Sequence, residues 1–124
     1  MCQMLLSINP EHVENIINGS KQFEYRKFRC KSDVDKILIY STAPEKKIVA
    51  EADITEIIEG DINYVWKHTK NHAGISYEFF QEYYKDKEKA VAYRLGNIAE
   101  YTEPRTLSYY GLTHPPQSFR YLSD

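Results

Sequence analysis

A chain of 124 residues with 42% hydrophobic and 27% charged side chains is long enough for one well-cored domain, residues 1–124, and too short to divide into two. No apolar run approaches the roughly 20 residues of a membrane span. The opening Met1-Cys2-Gln3-Met4-Leu5-Leu6 has neither a basic leader nor a long apolar region, which predicts a cytoplasmic protein. A net charge of −2 excludes wholesale wrapping of nucleic acid but hides an asymmetry: residues 20–47 carry eight bases against four acids, leaving −6 on the remainder. A locally basic third on an acidic body suits a small or short anionic partner.

In chain order, Met4 to Ile8 reads as a short buried strand, and Asn9-Pro10 opens a helix with a capping residue and a proline at the first helical position. Val13, Ile16 and Ile17 form its apolar stripe, and Asn18-Gly19 ends it. Phe23 to Phe28 reads as a strand whose period of two sends Phe23 and Tyr25 to one face and Glu24 and Arg26 to the other. Lys21 stands at its entrance. Lys36-Ile37-Leu38-Ile39-Tyr40 is a continuous apolar run, hence a central strand, and Ser41-Thr42-Ala43-Pro44 leaves it with two hydroxyls in a row.

Lys47 to Ile58 alternates as a long strand with a polar face, and Asp61 caps a brief helix carrying Ile62, Val65 and Trp66. Ser76 precedes a helix rich in aromatics, with Tyr77, Phe79, Phe80, Tyr83 and Tyr84 at core-like spacing. Ala90 to Leu95 is a strand, Gly96-Asn97 a bulge or turn, Ile98 to Tyr101 a continuation, and Pro104 a predicted break. In the tail, Phe119 and Tyr121 are placed to close over an open barrel edge. The sum is an α+β domain, a small curved sheet or barrel of about five or six strands with flanking helices.

Cys2 and Cys30 lie far apart without CxxC spacing and read as free thiols. His68 and His72 are four apart, but Gly74 follows and no third ligand is near, so neither a metal nor a cofactor is expected.

The series Gly19-x-Lys21-x-Phe23-Glu24-x-Arg26, Ile39-Tyr40-Ser41-x-x-Pro44 and Gly74-Ile75-Ser76 before an aromatic helix resembles the ASCH domain family over Leu5 to Phe119. The resemblance implies a PUA-like β-barrel and a cleft between barrel and first helix that binds RNA or a modified nucleobase, with Lys21, Glu24 and Arg26 on its wall. One bacterial branch of that family is an N4-acetylcytidine amidohydrolase using a lysine, a threonine three residues on, and a glutamate before the second helix. Lys21 matches the lysine. Glu24 stands where the threonine would be, and Asn71-His72-Ala73 supplies no acid.

Two functions compete on these residues. In an RNA- or nucleotide-binding module, Lys21 and Arg26 meet a phosphate or anionic edge, Glu24 accepts from a base amine, and Tyr25 or Tyr40 offers a stacking surface. In a small hydrolase acting on a modified nucleoside or on RNA, Lys21 and Glu24 are catalytic, and Ser41, Thr42 or Ser7 is the available hydroxyl. The sequence ranks the binding module first. Both readings place Lys21, Glu24 and Arg26 in one cleft, with Ser41 or Thr42 on its opposite wall.

Overall fold

The first apolar run forms β1 (Cys2–Ile8) in a computed structural model that describes residues 2–123. There follow α1 (Pro10–Ile17), β2 (Phe23–Arg26), β3 (Val34–Ser41), β4 (Lys47–Asp61), α2 (Ile62–Thr69), α3 (Tyr77–Tyr83), β5 (Lys89–Arg105) and β6 (Phe119–Ser123). The strands make one mixed sheet in the order β2-β5-β4-β3-β1-β6. Among the described residues only β1 and β3 run parallel, because α1 and β2 lie between them in sequence and provide the crossover.

Period two divides the side chains of β1: Met4, Leu6 and Ile8 join Val13 and Ile16 of α1 in the main core, whereas Leu5 packs on the outer face with Leu38, Tyr40, Ile48 and Leu112. A third cluster seats α2 and α3 on the sheet through Phe23, Tyr25, Val65, Phe80 and Tyr84. Each fully buried aliphatic or aromatic side chain of this kind contributes about 1.5–3 kcal/mol. The helix starts are local: Asn9, Asp61 and Ser76 each accept a hydrogen bond from a backbone N–H of the first turn.

Three expectations need correction. The sheet is not closed into a barrel: β2 and β6 are its two edges, and no backbone ladder joins them. Side chains span the gap instead. Phe28 and Phe119 stack with centroids 4.2 Å apart, and the Tyr121 hydroxyl accepts from Lys31 N at 3.2 Å. Second, β2 ends at Arg26 rather than Phe28, since tyrosine hydroxyls take the place of a partner strand. Tyr84 donates to Arg26 O (2.7 Å), and Tyr93 donates to Phe28 O (2.9 Å) while accepting from Cys30 N (2.8 Å). Third, Pro104 does not break β5, which runs to Arg105. A register shift in β4 between Ile48 and Ala50 lies opposite, where a missing N–H is tolerated.

Phe119 and Tyr121 lie on β6, which pairs antiparallel with β1. Cys2 and Cys30 are free and buried in the main core. Among the described residues no helix is long and apolar enough to cross a membrane, and no group of three or more His, Cys, Asp or Glu gathers to hold a metal. His68 is spent on α2, donating to Tyr64 O at 2.8 Å and packing against the Tyr64 ring.

Candidate functional site

Alternation along β2 buries both of its faces. Phe23 and Tyr25 face α2 and α3, while Glu24 and Arg26 turn inward and are only 7% and 8% exposed. A charged strand face that should have been solvated is therefore held inside the protein. Charges so placed need partners, since an unpaired buried ion is costly.

Arg26 is fully engaged. Its Nε and Nη2 donate to Glu24 Oε2 (3.0 and 2.9 Å), Nη2 also reaches Ser7 O (3.1 Å), and Nη1 reaches Ser118 Oγ and O (3.2 and 3.5 Å). The planar fork thus ties edge strand β2 to the end of β1 and to the residue before β6. It is a clasp across the open side of the sheet.

Lys21 is not engaged in that way. Its side chain is buried, at 3% exposure, and among the described residues Nζ has one hydrogen bond, to Ala73 O at 3.3 Å, with the Tyr25 ring centroid 4.9 Å away. Burial pulls its ammonium below the ordinary lysine range and Arg26 adds to this, while Glu24 opposes. Lys21 N is anchored to Asn15 O at the end of α1, and Gln22 N to His72 O, so two connections fix the backbone that carries the ammonium.

Gly74 makes that position possible. It has φ +70°, and a Cβ there would lie 2.3 Å from Lys21 Cβ and 2.7 Å from Lys21 Cα. Gly74→Ala is expected to cost about 1–3 kcal/mol from overpacking, with the left-handed φ adding to it. It should also displace Lys21. Urea unfolding checks the first effect; a variant as stable as the wild type would contradict the contact.

These residues border a cavity of about 200 Å³, lined by Ser7, Ile8, Asn9 and His12 from the β1–α1 corner, by Lys21 and three residues of β2, and by Ile75, Phe79 and Tyr83. His12 has no counterpart in the sequence reading. It lies on α1, its ring meets Phe79 edge-on at 5.4 Å, and its Nδ1 is sealed from solvent without a hydrogen-bond partner among the described residues. Burial lowers its pKa below 6.5 and Lys21 lowers it further, against opposing pulls from Glu24 and Glu11. The imidazole is therefore neutral at pH 7. The available signal was its position at the third residue of an amphipathic helix, next to the apolar stripe, facing the Gly19–Arg26 segment.

The expected opposite wall lies elsewhere. Ser41 is buried beside a second cavity of about 570 Å³, on the other side of α1, lined also by Val13, Ile17, Glu45 and Tyr101. Thr42 borders neither cavity and donates its backbone N–H to Ile8 O, and Tyr40 is buried on the outer face of the sheet. Parallel pairing of β1 with β3 is the reason: Ile8 lies against Ser41, so β1 stands between the Ser41 loop and the Lys21 cavity. Ser7 supplies the hydroxyl on this side, and it donates to Pro116 O at 2.6 Å.

A six-stranded mixed sheet with three helices is an α+β, PUA-like fold that matches solved ASCH structures. The solved ASCH protein of Zymomonas mobilis superposes with a TM-score of 0.87 at 28% identity, covering 98% of this chain and 87% of that one. The chain belongs to the ASCH-type family described as "Domain of unknown function (DUF365)", whose model matches residues 7–110. An "ASCH domain-containing ribonuclease" of Zymomonas mobilis is 30% identical over 94 residues, covering 75% of this chain and 64% of that protein. A protein named large ribosomal subunit protein uL22 of Ureaplasma parvum is 29% identical over 120 residues. The chain spans 39% of that relative's length. Of these relatives, one is named a ribonuclease and one a ribosomal protein.

Proposed function

We propose that this domain binds single-stranded RNA across the Lys21 cavity and cleaves its phosphodiester backbone. The observation that carries the reading is Lys21: a buried ammonium with a single long hydrogen bond, bordering a cavity shared with the neutral His12. The Zymomonas relative named a ribonuclease supports RNA cleavage as the class of reaction. Lys21 meets the non-bridging phosphate oxygens and stabilises the charge that grows on them as the 2′-oxygen attacks phosphorus. The 2′-hydroxyl proton passes to His12 through Nε2, the nitrogen not sealed in the fold. The bond to the 5′-oxygen breaks, that oxygen takes a proton from water, and the products are a 2′,3′-cyclic phosphate and a 5′-hydroxyl. Glu24 holds Arg26 and adjusts the charge beside Lys21, without being the base itself.

The pH dependence follows from the two shifts. His12 must be neutral, so activity rises through a pKa below 6.5; Lys21 must be charged, so activity falls through a pKa below 10.5. Cleavage of a fluorescent RNA strand should follow a bell-shaped profile with both limbs displaced downward, and a 2′-deoxy substitution at the scissile residue should stop it. A profile whose lower limb is unchanged in His12→Ala would contradict the assignment of the base.

RNA binding without cleavage keeps one specific support. His12 Nδ1 has no acceptor to orient the ring or to stabilise an imidazolium, which a dedicated base ordinarily has. Lys21 would then serve affinity alone.

A further inference from the structure

The mouth of the cavity has a composition that its floor does not explain. Phe79 and Tyr83 are one turn apart on α3 and both line the cavity, yet Phe79 leaves 50% of its surface exposed. An aromatic of that size belongs in a core unless something else covers it. The amphipathic logic of α3 is satisfied by Phe80, which is fully buried against Tyr25, Trp66 and Tyr84. Phe79 stands apart from that cluster, while Tyr83 packs against it beside Tyr84 and still lines the cavity.

One exposed base stands beside the Tyr83 ring. Lys27 is exposed and places Nζ 4.6 Å from the centroid of the Tyr83 ring. Of the other bases in the 20–47 segment, Arg26, Arg29 and Lys36 are neutralised by Glu24, Glu59 and Glu51. Lys27 has no acidic partner among the described residues, so its attraction for an anion is not offset.

We propose that Phe79 and Tyr83 form a stacking subsite for the unpaired base of the nucleotide flanking the one in the cavity, with Lys27 meeting the adjoining phosphate. This rests on the RNA reading above and names the feature of the substrate that the domain grips. A base has two aromatic faces and a phosphate within reach on either side; an aromatic pair beside a lone cation continues an anion-accepting cavity along such a strand. A duplex cannot present that base face. Selectivity for single strands therefore lies on α3, while chemistry lies on α1 and the connection that enters β2.

The test uses a short RNA analogue with 2′-fluoro sugars, which binds but cannot be cleaved, and an abasic strand of the same length. Phe79→Ala should weaken binding of the intact strand roughly five- to hundredfold. It should weaken binding of the abasic strand far less than binding of the intact strand, and Phe79→Trp should retain wild-type affinity. Lys27→Ala should weaken both strands alike and lower the salt slope by about one counterion. Equal affinities of wild type and Phe79→Ala for the intact strand would overturn the subsite while leaving the cavity reading in place. Failure of the wild type to bind either strand would remove the cavity reading itself, and the subsite with it.

Discussion

Arg26→Ala is expected to destabilise the domain by about 3–5 kcal/mol, because it leaves the Glu24 carboxylate buried without its counter-ion. The pair is well shielded, with side-chain exposures of 10% and 9%, so solvent screening does little to soften the loss. Three other contacts disappear with it, to Ser7 O, Ser118 O and Ser118 Oγ, and these link β2 to the far edge of the sheet. For a domain whose whole stability lies on the order of 5–15 kcal/mol, that is a large fraction. Urea denaturation followed by tyrosine fluorescence measures it. The double variant Arg26→Met with Glu24→Leu should recover much of the loss, since a buried ion pair can be exchanged for apolar packing while a lone buried charge cannot be left. A loss below about 1 kcal/mol for Arg26→Ala would mean that Arg26 is free for ligand and that the sheet edges are held by other contacts.

This prediction also marks how far the sequence could be read. The strands, the capped helices and the α+β class were legible because they are written in short-range signals: Asn9-Pro10, Asn18-Gly19, the apolar run at Ile37 and the alternation after Lys47. The Lys21, Glu24 and Arg26 cluster was legible for the same reason, being one strand and its entrance. Their different roles were not. Whether a guanidinium meets a ligand or a backbone depends on what lies across the gap, and Ser118 is 92 residues from Arg26. The Ser41 loop was misplaced because a parallel β1–β3 pairing is a long-range choice that leaves no local mark. His12 was passed over because a histidine beside an apolar stripe looks like any helix residue until a cavity forms next to it. The open sheet was hidden by tyrosine hydroxyls doing the work of a strand, a substitution that pattern cannot reveal.

Lys21→Ala is the second large effect and bears on the central claim. Removing an ammonium that stabilises developing phosphate charge should slow cleavage roughly a hundred- to thousandfold. Ground-state affinity should fall much less, since the contact strengthens in the transition state. Folding should survive, because desolvation of the charge opposes its burial and an alanine removes that cost. The direct measurement is single-turnover cleavage of a labelled single-stranded RNA by wild type and Lys21→Ala at saturating protein, with products resolved by chromatography and melting temperatures recorded for both. The account predicts a 2′,3′-cyclic phosphate from the wild type and a rate at least about a hundredfold lower from a folded Lys21→Ala. Cleavage at equal rates by the two proteins, or a folded wild type that binds the strand and leaves it intact, would contradict it.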